Sequence, residues 1–228
     1  MADKQVINGL PYVRFEQEKK DDALIQAEGK ALEQQMLKRR SVREFSSEPI
    51  PKEIIQELLA IAGSAPSGAN KQPWTFCAVS NPELKKKIRE AAEQEEYQNY
   101  HGRMNQDWIK DLKPFGTVWQ KPFLETAPYL IIVFKKPYDL TANGQKTQNY
   151  YVNESVGIAC GFLLSAIHQL GLVSLTHTPS PMGFLGELLG RPENERAFLL
   201  IPVARPMDEC WVPDIQRKSQ EEVSVFYP

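Results

Sequence analysis

No stretch of this chain stays apolar for the roughly 18–20 residues that a helix needs to cross a bilayer, so no membrane span is expected. Cysteine is scarce. Cys77, Cys160 and Cys210 are odd in number and widely spaced, which argues against a disulfide framework and a zinc site and fits a reduced protein. His101, His168 and His177 are equally scattered. An excess of one charge is also missing. With 27 basic and 29 acidic side chains, a net charge of −2, the chain lacks the basic surplus on which nucleic-acid binding draws. The first residues lack the basic-then-apolar pattern of an export signal, and a cytoplasmic protein is expected. The familiar phosphate cradles are absent too: there is neither G-x-G-x-x-G after a strand nor G-x-x-x-x-G-K-[ST].

What is present is a chain of 228 residues, 42% apolar and 25% charged. That composition belongs to folded proteins, and the length suits one large or two small domains. Residues 1–20 are polar and read as mostly irregular. Residues 22–38 read as a helix despite Gly29. A second helix is expected from Pro51, where Ile54, Ile55, Leu58, Leu59 and Ala62 recur at helical spacing. Gly63 to Asn70 reads as a loop and 74–79 as a strand. Asn81-Pro82 is a cap with a first-turn proline, opening a charged helix to about residue 99.

Residues 101–126 mix Trp108, Leu112 and Trp119 with Pro114 and Pro122, a pattern of short helices lying over something apolar. A buried strand is predicted at 129–134, the longest helix at 147–170, strands at 172–176 and 198–204, and a short helix near 182–189. The centre of the long helix, 156–167, is apolar all round, which predicts burial on every side, in a core or a dimer seam. The tail from Val212 reads as extended and polar, with no hydrophobic face of its own. Helices alternating with strands predict a layered sheet covered on both faces.

Three arginines and a serine fall within Arg39-Arg40-Ser41-Val42-Arg43. Forked guanidinium donors and a hydroxyl suit a phosphate, and Arg217 is a further candidate. In isolation the string reads as a solvated helix end. The loop Pro66-Ser67-Gly68-Ala69-Asn70, followed by Gln72-Pro73-Trp74, is small enough for backbone N–H groups to approach a ligand, although alone it is an ordinary turn. Together, with no metal set or nucleophile set in competition, the two signals point to a flavin mononucleotide (FMN) site.

These segments, with the Gly171-Leu172-Val173 strand and the run Leu188-Leu189-Gly190-Arg191-Pro192, resemble the nitroreductase-type flavoproteins in order over roughly residues 30–220. The resemblance implies an α+β fold, a three-layer α/β/α sandwich with a central mixed sheet. It also implies an intertwined homodimer with swapped C-termini and FMN held between subunits. The chain then divides into an N-terminal extension, 1–30, and one FMN-binding domain, 31–228, with an active-site lid at about 95–126. Cofactor binding falls to Arg39, Arg40, Ser41, Arg43, Pro66, Ser67, Gly68, Thr176, His177, Thr178 and Arg217. Arg39 and Arg40 face the phosphate and Arg43 the N1/O2 edge of the ring.

Residues Glu95 to Tyr100, Arg103-Met104, Trp108, Asp111 to Lys113, Trp119, Lys121 and Thr126 to Pro128 resemble one branch of that family, the iodotyrosine deiodinases. In that branch a Glu, a Tyr four residues on and a Lys 21 residues after the Tyr grip the substrate amino acid. By resemblance these are Glu96, Tyr100 and Lys121. Spacing alone puts Glu96 and Tyr100 on one helix face. A carboxylate suits the ammonium of a zwitterion, and a lysine with a phenol suits its carboxylate. By themselves the three read as a solvated helix face.

Ala69 corresponds to the residue whose N–H receives the substrate phenolate. Thr178 corresponds to a catalytic threonine near flavin N5, associated with one-electron flavin chemistry. His177 departs from relatives with a third threonine, and two outcomes are open: retuning of the flavin, or a side chain in solvent. The membrane anchor of the animal relatives is not carried over. The implied activity is FMN-dependent reductive dehalogenation of iodo-, bromo- or chlorotyrosine, with NAD(P)H as electron donor directly or through a reductase. Two alternatives stay open. One is a general NAD(P)H-dependent nitro- or quinone reductase, and the other a flavin- or halotyrosine-binding protein without turnover.

Overall fold

The computed structural model describes residues 3–227. It divides into two compact units, 1–38 and 39–228. Met1, Ala2 and Pro228, the outermost residues of the expected extension and domain, lie outside the described residues. The first unit corrects the irregular reading of 1–20. Strands β1 (Lys4–Ile7) and β2 (Leu10–Val13) form an antiparallel hairpin. Asn8 and Gly9 turn it with φ of 50° and 78°, the left-handed pair that a two-residue hairpin requires. Helix α1 (Asp22–Leu37) follows, with the Asp21 side chain accepting the Leu24 N–H at 2.8 Å.

The second unit is built on a four-stranded sheet. Helix α2 (Lys52–Gly63) leads to β3 (Trp74–Val79), and Asn81 caps α3 (Pro82–Gln98). Short helices α4 (Gln106–Leu112) and α5 (Phe123–Thr126) precede β4 (Tyr129–Lys135). A small hairpin, β5 (Tyr138–Leu140) with β6 (Lys146–Gln148), comes before α6 (Val152–Gln169). The chain ends with β7 (Val173–Ser174), α7 (Gly183–Leu188), β8 (Arg196–Ala204) and α8 (Gln220–Val223).

The strand order is β3-β4-β8-β7. Every pair of named strands in it is antiparallel, and the one parallel pairing among the described residues is an isolated bridge between Ser41 and Ser174. The expected mixed sheet is therefore corrected to an antiparallel one. One helix between two strands returns the chain to its starting end and gives a parallel pair. Between β3 and β4 the chain makes a further pass through 99–122, so it re-enters with Leu130 opposite Val79, the residue at which it left.

The period of two along β4 splits the core. Ile131 and Val133 face Ile55, Leu58 and Ala62 of α2 and Val156, Ala159 and Leu163 of α6. Leu130, Ile132 and Phe134 face Ile88 and Ala92 of α3 and Leu185 of α7. All of these are buried, so the architecture is the expected three-layer α/β/α sandwich. Two expectations fail in detail. The helix read at 147–170 starts at Val152, because β6 occupies 146–148. Within one copy it is also not buried on every side, so the core setting fails while the dimer-seam setting stays open: Ile158 and Phe162 are 44% and 40% exposed, beside exposed Gly157 and Gly161. The tail from Val212 does carry apolar side chains, with Ile215, Val225 and Phe226 exposed. Among the described residues no helix is long and apolar enough to cross a membrane, and no metal-ligating cluster occurs.

Candidate active site

Helix α3 does not stop cleanly. Its last turn carries Glu96 and runs into a π turn, Asn99–Arg103, that carries Tyr100. A widened turn of this kind often sits at a functional site, because it re-aims the side chains that follow. The buried Asn99 side chain ties the turn down by donating to the Ser180 carbonyl at 2.9 Å. The chain then contributes Met104, Trp108, Leu112 and Thr117 to the wall of a cavity of about 620 Å³ and returns at Lys121. Glu96, Tyr100 and Lys121 line that cavity together with Arg43, Thr176 and Thr178.

Glu96 and Lys121 are 7% and 3% exposed, and Lys121 Nζ lies 3.3 Å from Glu96 Oε2. Lys121 Nζ also reaches Thr117 Oγ1 at 3.4 Å, donates to the Val118 carbonyl, and sits 5.5 Å from the centre of the Tyr100 ring. The Tyr100 hydroxyl donates to the Thr117 carbonyl at 3.2 Å. Burial pushes the Glu96 carboxyl up and the Lys121 ammonium down, each opposed by the charge of the other. Each ion thus keeps its charge largely through its partner, a pair set to be exchanged for a ligand carrying both charges. Burial also raises the Tyr100 phenol, which stays a neutral donor at pH 7.

His177 exchanges backbone hydrogen bonds with Leu200 of the central strand β8, at 2.8 and 3.0 Å. The extended alternation leaves Thr176 and Thr178 exposed and turns His177 inward, 7% exposed and edge-on to Phe123 at 5.9 Å. Of the two outcomes left open for His177, solvent exposure is therefore corrected. Its Nε2 has no hydrogen-bond partner. Burial first, then the charges of Lys121 and Arg43, hold its pKa down at about 3, so the ring is neutral at physiological pH.

The arginine segment borders a smaller cavity of about 160 Å³, with Arg39, Arg40, Ser41, Arg43 and Arg217 in its wall. Arg217 donates to the Arg39 carbonyl at 2.7 Å and Arg40 to the Pro213 carbonyl, so the tail folds back over the segment. Among the described residues Arg39, Arg40 and Arg43 have no ion-pair partner. Burial, then Arg217 and Arg40, lower the Arg39 pKa. The guanidinium groups of Arg39, Arg40 and Arg43, without a carboxylate partner, suit a phosphate. Arg43 lines both cavities and so joins the two sites.

Pro66 to Ala69 lie elsewhere. Their loop precedes β3, one edge of the sheet, whereas the Ser41–Ser174 bridge puts the arginines beyond β7, the other edge. Gly68 N–H donates to Ser155 Oγ of α6 at 3.3 Å, and Gln72 N–H to Ser67 Oγ at 2.9 Å. Ala69, Asn70 and Gln72 hold φ of 50°, 52° and 47°, an unusual density of left-handed non-glycine residues. The Asn70 and Lys71 N–H groups bond back to Ser67 and Gly68, and none of these bonds uses the Ala69 N–H. A Cβ on Gly68 would stand 3.0 Å from the Tyr150 carbonyl oxygen and from the Tyr151 ring. Sequence reasoning missed Ser155, hidden in an apolar helix. It also missed Glu93, which accepts the Lys121 N–H at 2.6 Å; its one signal was a position three residues before Glu96.

The residues present fit FMN: Arg39, Arg40 and Arg43 without carboxylate partners for its phosphate, a strained loop whose Ala69 N–H takes no part in its turn bonds, and an orphaned buried imidazole nitrogen beside the cavity. A model of the nitroreductase family matches residues 36–205. The iodotyrosine deiodinase of Haliscomenobacter hydrossis is 62% identical over 83% of this chain and 85% of its own length. That of Nematostella vectensis is 42% identical over 98% and 84%. A crystal structure of oxidized iodotyrosine deiodinase bound to FMN and 3-iodo-L-tyrosine is 33% identical, with a TM-score of 0.71 over 86% of this chain and 98% of that one. Fold, site chemistry and relatives agree, and the chain belongs to the nitroreductase family, in its iodotyrosine deiodinase branch.

Proposed function

We propose that the protein is a flavin-dependent oxidoreductase that removes halide from halotyrosines, taking iodotyrosine to tyrosine and iodide. The observation that carries this reading is the buried Glu96–Lys121 pair beside Tyr100, in a cavity that shares Arg43 with the arginine cavity. A free amino acid brings one charge of each sign. Glu96 takes its ammonium, and Lys121 with the Tyr100 hydroxyl takes its carboxylate. Both protein ions stay paired when their bond to each other opens. The segment 95–126 then acts as a lid that excludes water.

Arg39, Arg40, Ser41 and Arg217 hold the FMN phosphate, and Arg43 the polar edge of the ring. Thr176, His177 and Thr178 line the cofactor, with the Thr178 hydroxyl near the reacting ring. Pro66, Ser67 and Gly68 complete the cradle, and the Ala69 N–H holds the substrate phenolate oxygen. An ortho halogen lowers the phenol pKa, so that donor meets an anion. Reduced FMN supplies two electrons, one at a time, which with a proton replace the carbon–halogen bond by carbon–hydrogen and release halide. NAD(P)H provides them directly or through a reductase, and the protein works in the cytoplasm.

The site is shared in a homodimer. The arginines and the Ser67 loop flank opposite edges of one sheet, so a second copy supplies the loop that one copy cannot bring to its own arginines. The exposed Ile158 and Phe162 of α6, and the apolar side chains of the tail, support an interface there. The test is direct. Purified protein should be yellow and should release iodide from iodotyrosine under dithionite. Rapid flavin reoxidation by a nitroaromatic, with no iodide from iodotyrosine, would identify a general nitroreductase instead. Binding of iodotyrosine without iodide release would leave a binding protein.

A further inference from the structure

Lys121 is held at its backbone as well as at its ammonium. Its N–H donates to Glu93 Oε1 at 2.6 Å, and its carbonyl accepts the Leu124 N–H of α5 at 3.0 Å. Glu93 is fixed in turn, since Oε2 takes Arg89 Nη1 at 2.5 Å. Arg89 Nε also bonds the Glu125 carboxylate at the end of α5. The Glu93 side chain is 13% exposed, sheltered enough for these bonds to hold their geometry. Lys85 closes the assembly by donating to the Glu125 and Ala127 carbonyls at 2.8 and 2.6 Å. Three members of the set, Lys85, Arg89 and Glu93, recur every four residues along α3, and Glu96 follows on the same helix.

We infer that Glu93 is a positioning residue for substrate: its carboxylate pins the Lys121 backbone to the helix that carries Glu96, setting the spacing between the two charges that grip an amino acid. The inference rests on the reading of the cavity as a halotyrosine site. Tyr100 follows from the same helix and Lys121 returns to it, so both ends of the intervening cover are anchored on α3. Without the Glu93 bond, residue 121 keeps its charge but loses its register against Glu96. Glu93 lines neither the substrate cavity nor the arginine cavity, so its loss acts on substrate binding through Lys121 and leaves the flavin alone.

The test compares Glu93→Ala, Glu93→Gln and Glu93→Asp in the FMN-loaded protein, titrated with iodotyrosine and with 2-iodophenol, which has no amino-acid end. Glu93→Ala should raise KM and Kd for iodotyrosine about tenfold or more, the effect of one lost charge-assisted bond. Values of kcat at saturation, FMN content and 2-iodophenol binding should stay near wild type. Glu93→Gln should restore most of the loss, because its carboxamide oxygen still accepts the Lys121 N–H. Glu93→Asp keeps the charge but falls one methylene short, and should resemble alanine. Should alanine prevent folding, the aspartate–glutamine contrast decides. Equal iodotyrosine affinity in Glu93→Asp and wild type overturns the inference, as does a parallel loss of FMN or of 2-iodophenol binding. Failure of the wild type itself to bind iodotyrosine overturns the function instead.

Discussion

Replacing Glu96 by glutamine should weaken one ligand and strengthen another. In the wild type a deaminated analogue, a 3-(iodo-hydroxyphenyl)propanoate, must draw Lys121 away from Glu96. That leaves a carboxylate only 7% exposed without its cation. Stranding one partner of a buried pair costs roughly 3–5 kcal/mol. Protonation of Glu96, whose pKa burial already raises, relieves part of it. In Glu96→Gln this cost is gone and Lys121 awaits an anion, so the propanoate should bind about 1.4–2.8 kcal/mol tighter, roughly 10–100-fold. Iodotyrosine loses the partner of its ammonium and should weaken by a similar factor. Quenching of flavin fluorescence by each ligand at pH 7 measures both. Acidification should bring the wild type closer to the variant, because protonating Glu96 frees Lys121, while titration of the ligand's own phenol affects both proteins alike. A propanoate that weakens together with iodotyrosine would refute the exchange of pairs.

Three further outcomes follow from the geometry. His177 is neutral in the fold down to about pH 3, but titrates near its ordinary value of 6.5 when unfolded. The unfolded state therefore binds more protons between those values, and stability falls as pH falls, by about 1.4 kcal/mol per unit, relative to His177→Gln. Urea unfolding at pH 6 and pH 4 reads the difference, and parallel curves for the two proteins would contradict it. Gly68→Ala puts a methyl 3.0 Å from a backbone oxygen and from the Tyr151 ring. It should cost about 1–3 kcal/mol in thermal unfolding and lower FMN retention. Phe162→Glu charges a residue already 40% exposed, so a single copy should remain folded while sedimentation shows half the mass and FMN is lost. An unchanged mass would move the interface elsewhere.

The layers of the fold were legible because their signals are local. The strand at 74–79 was read at its observed bounds, and Asn81-Pro82 opened α3 as cap and first-turn proline do. Strand direction was not legible, since it depends on how many times the chain crosses the sheet between strands, and residues 99–122 carry no periodicity that counts a pass. The apolar centre of α6 hid an exposed face, because composition does not separate burial in a core from an uncovered flank. Glu96, Tyr100 and Lys121 do meet in one cavity, as the branch resemblance implied. Glu93 escaped notice because its function is carried by a bond to a main-chain N–H, which leaves no side-chain signature at residue 121.

On the proposed sharing of one site between two copies, the separation of the arginines from the Ser67 loop, across the full width of the sheet, makes flavin content a property of a pair of chains. Flavin then acts as a ligand of the assembly, and occupancy should fall on dilution as chains part. Two damaged chains need not make a dead protein. A chain spoiled only at its arginines and one spoiled only at its loop form, together, one doubly damaged site and one intact site.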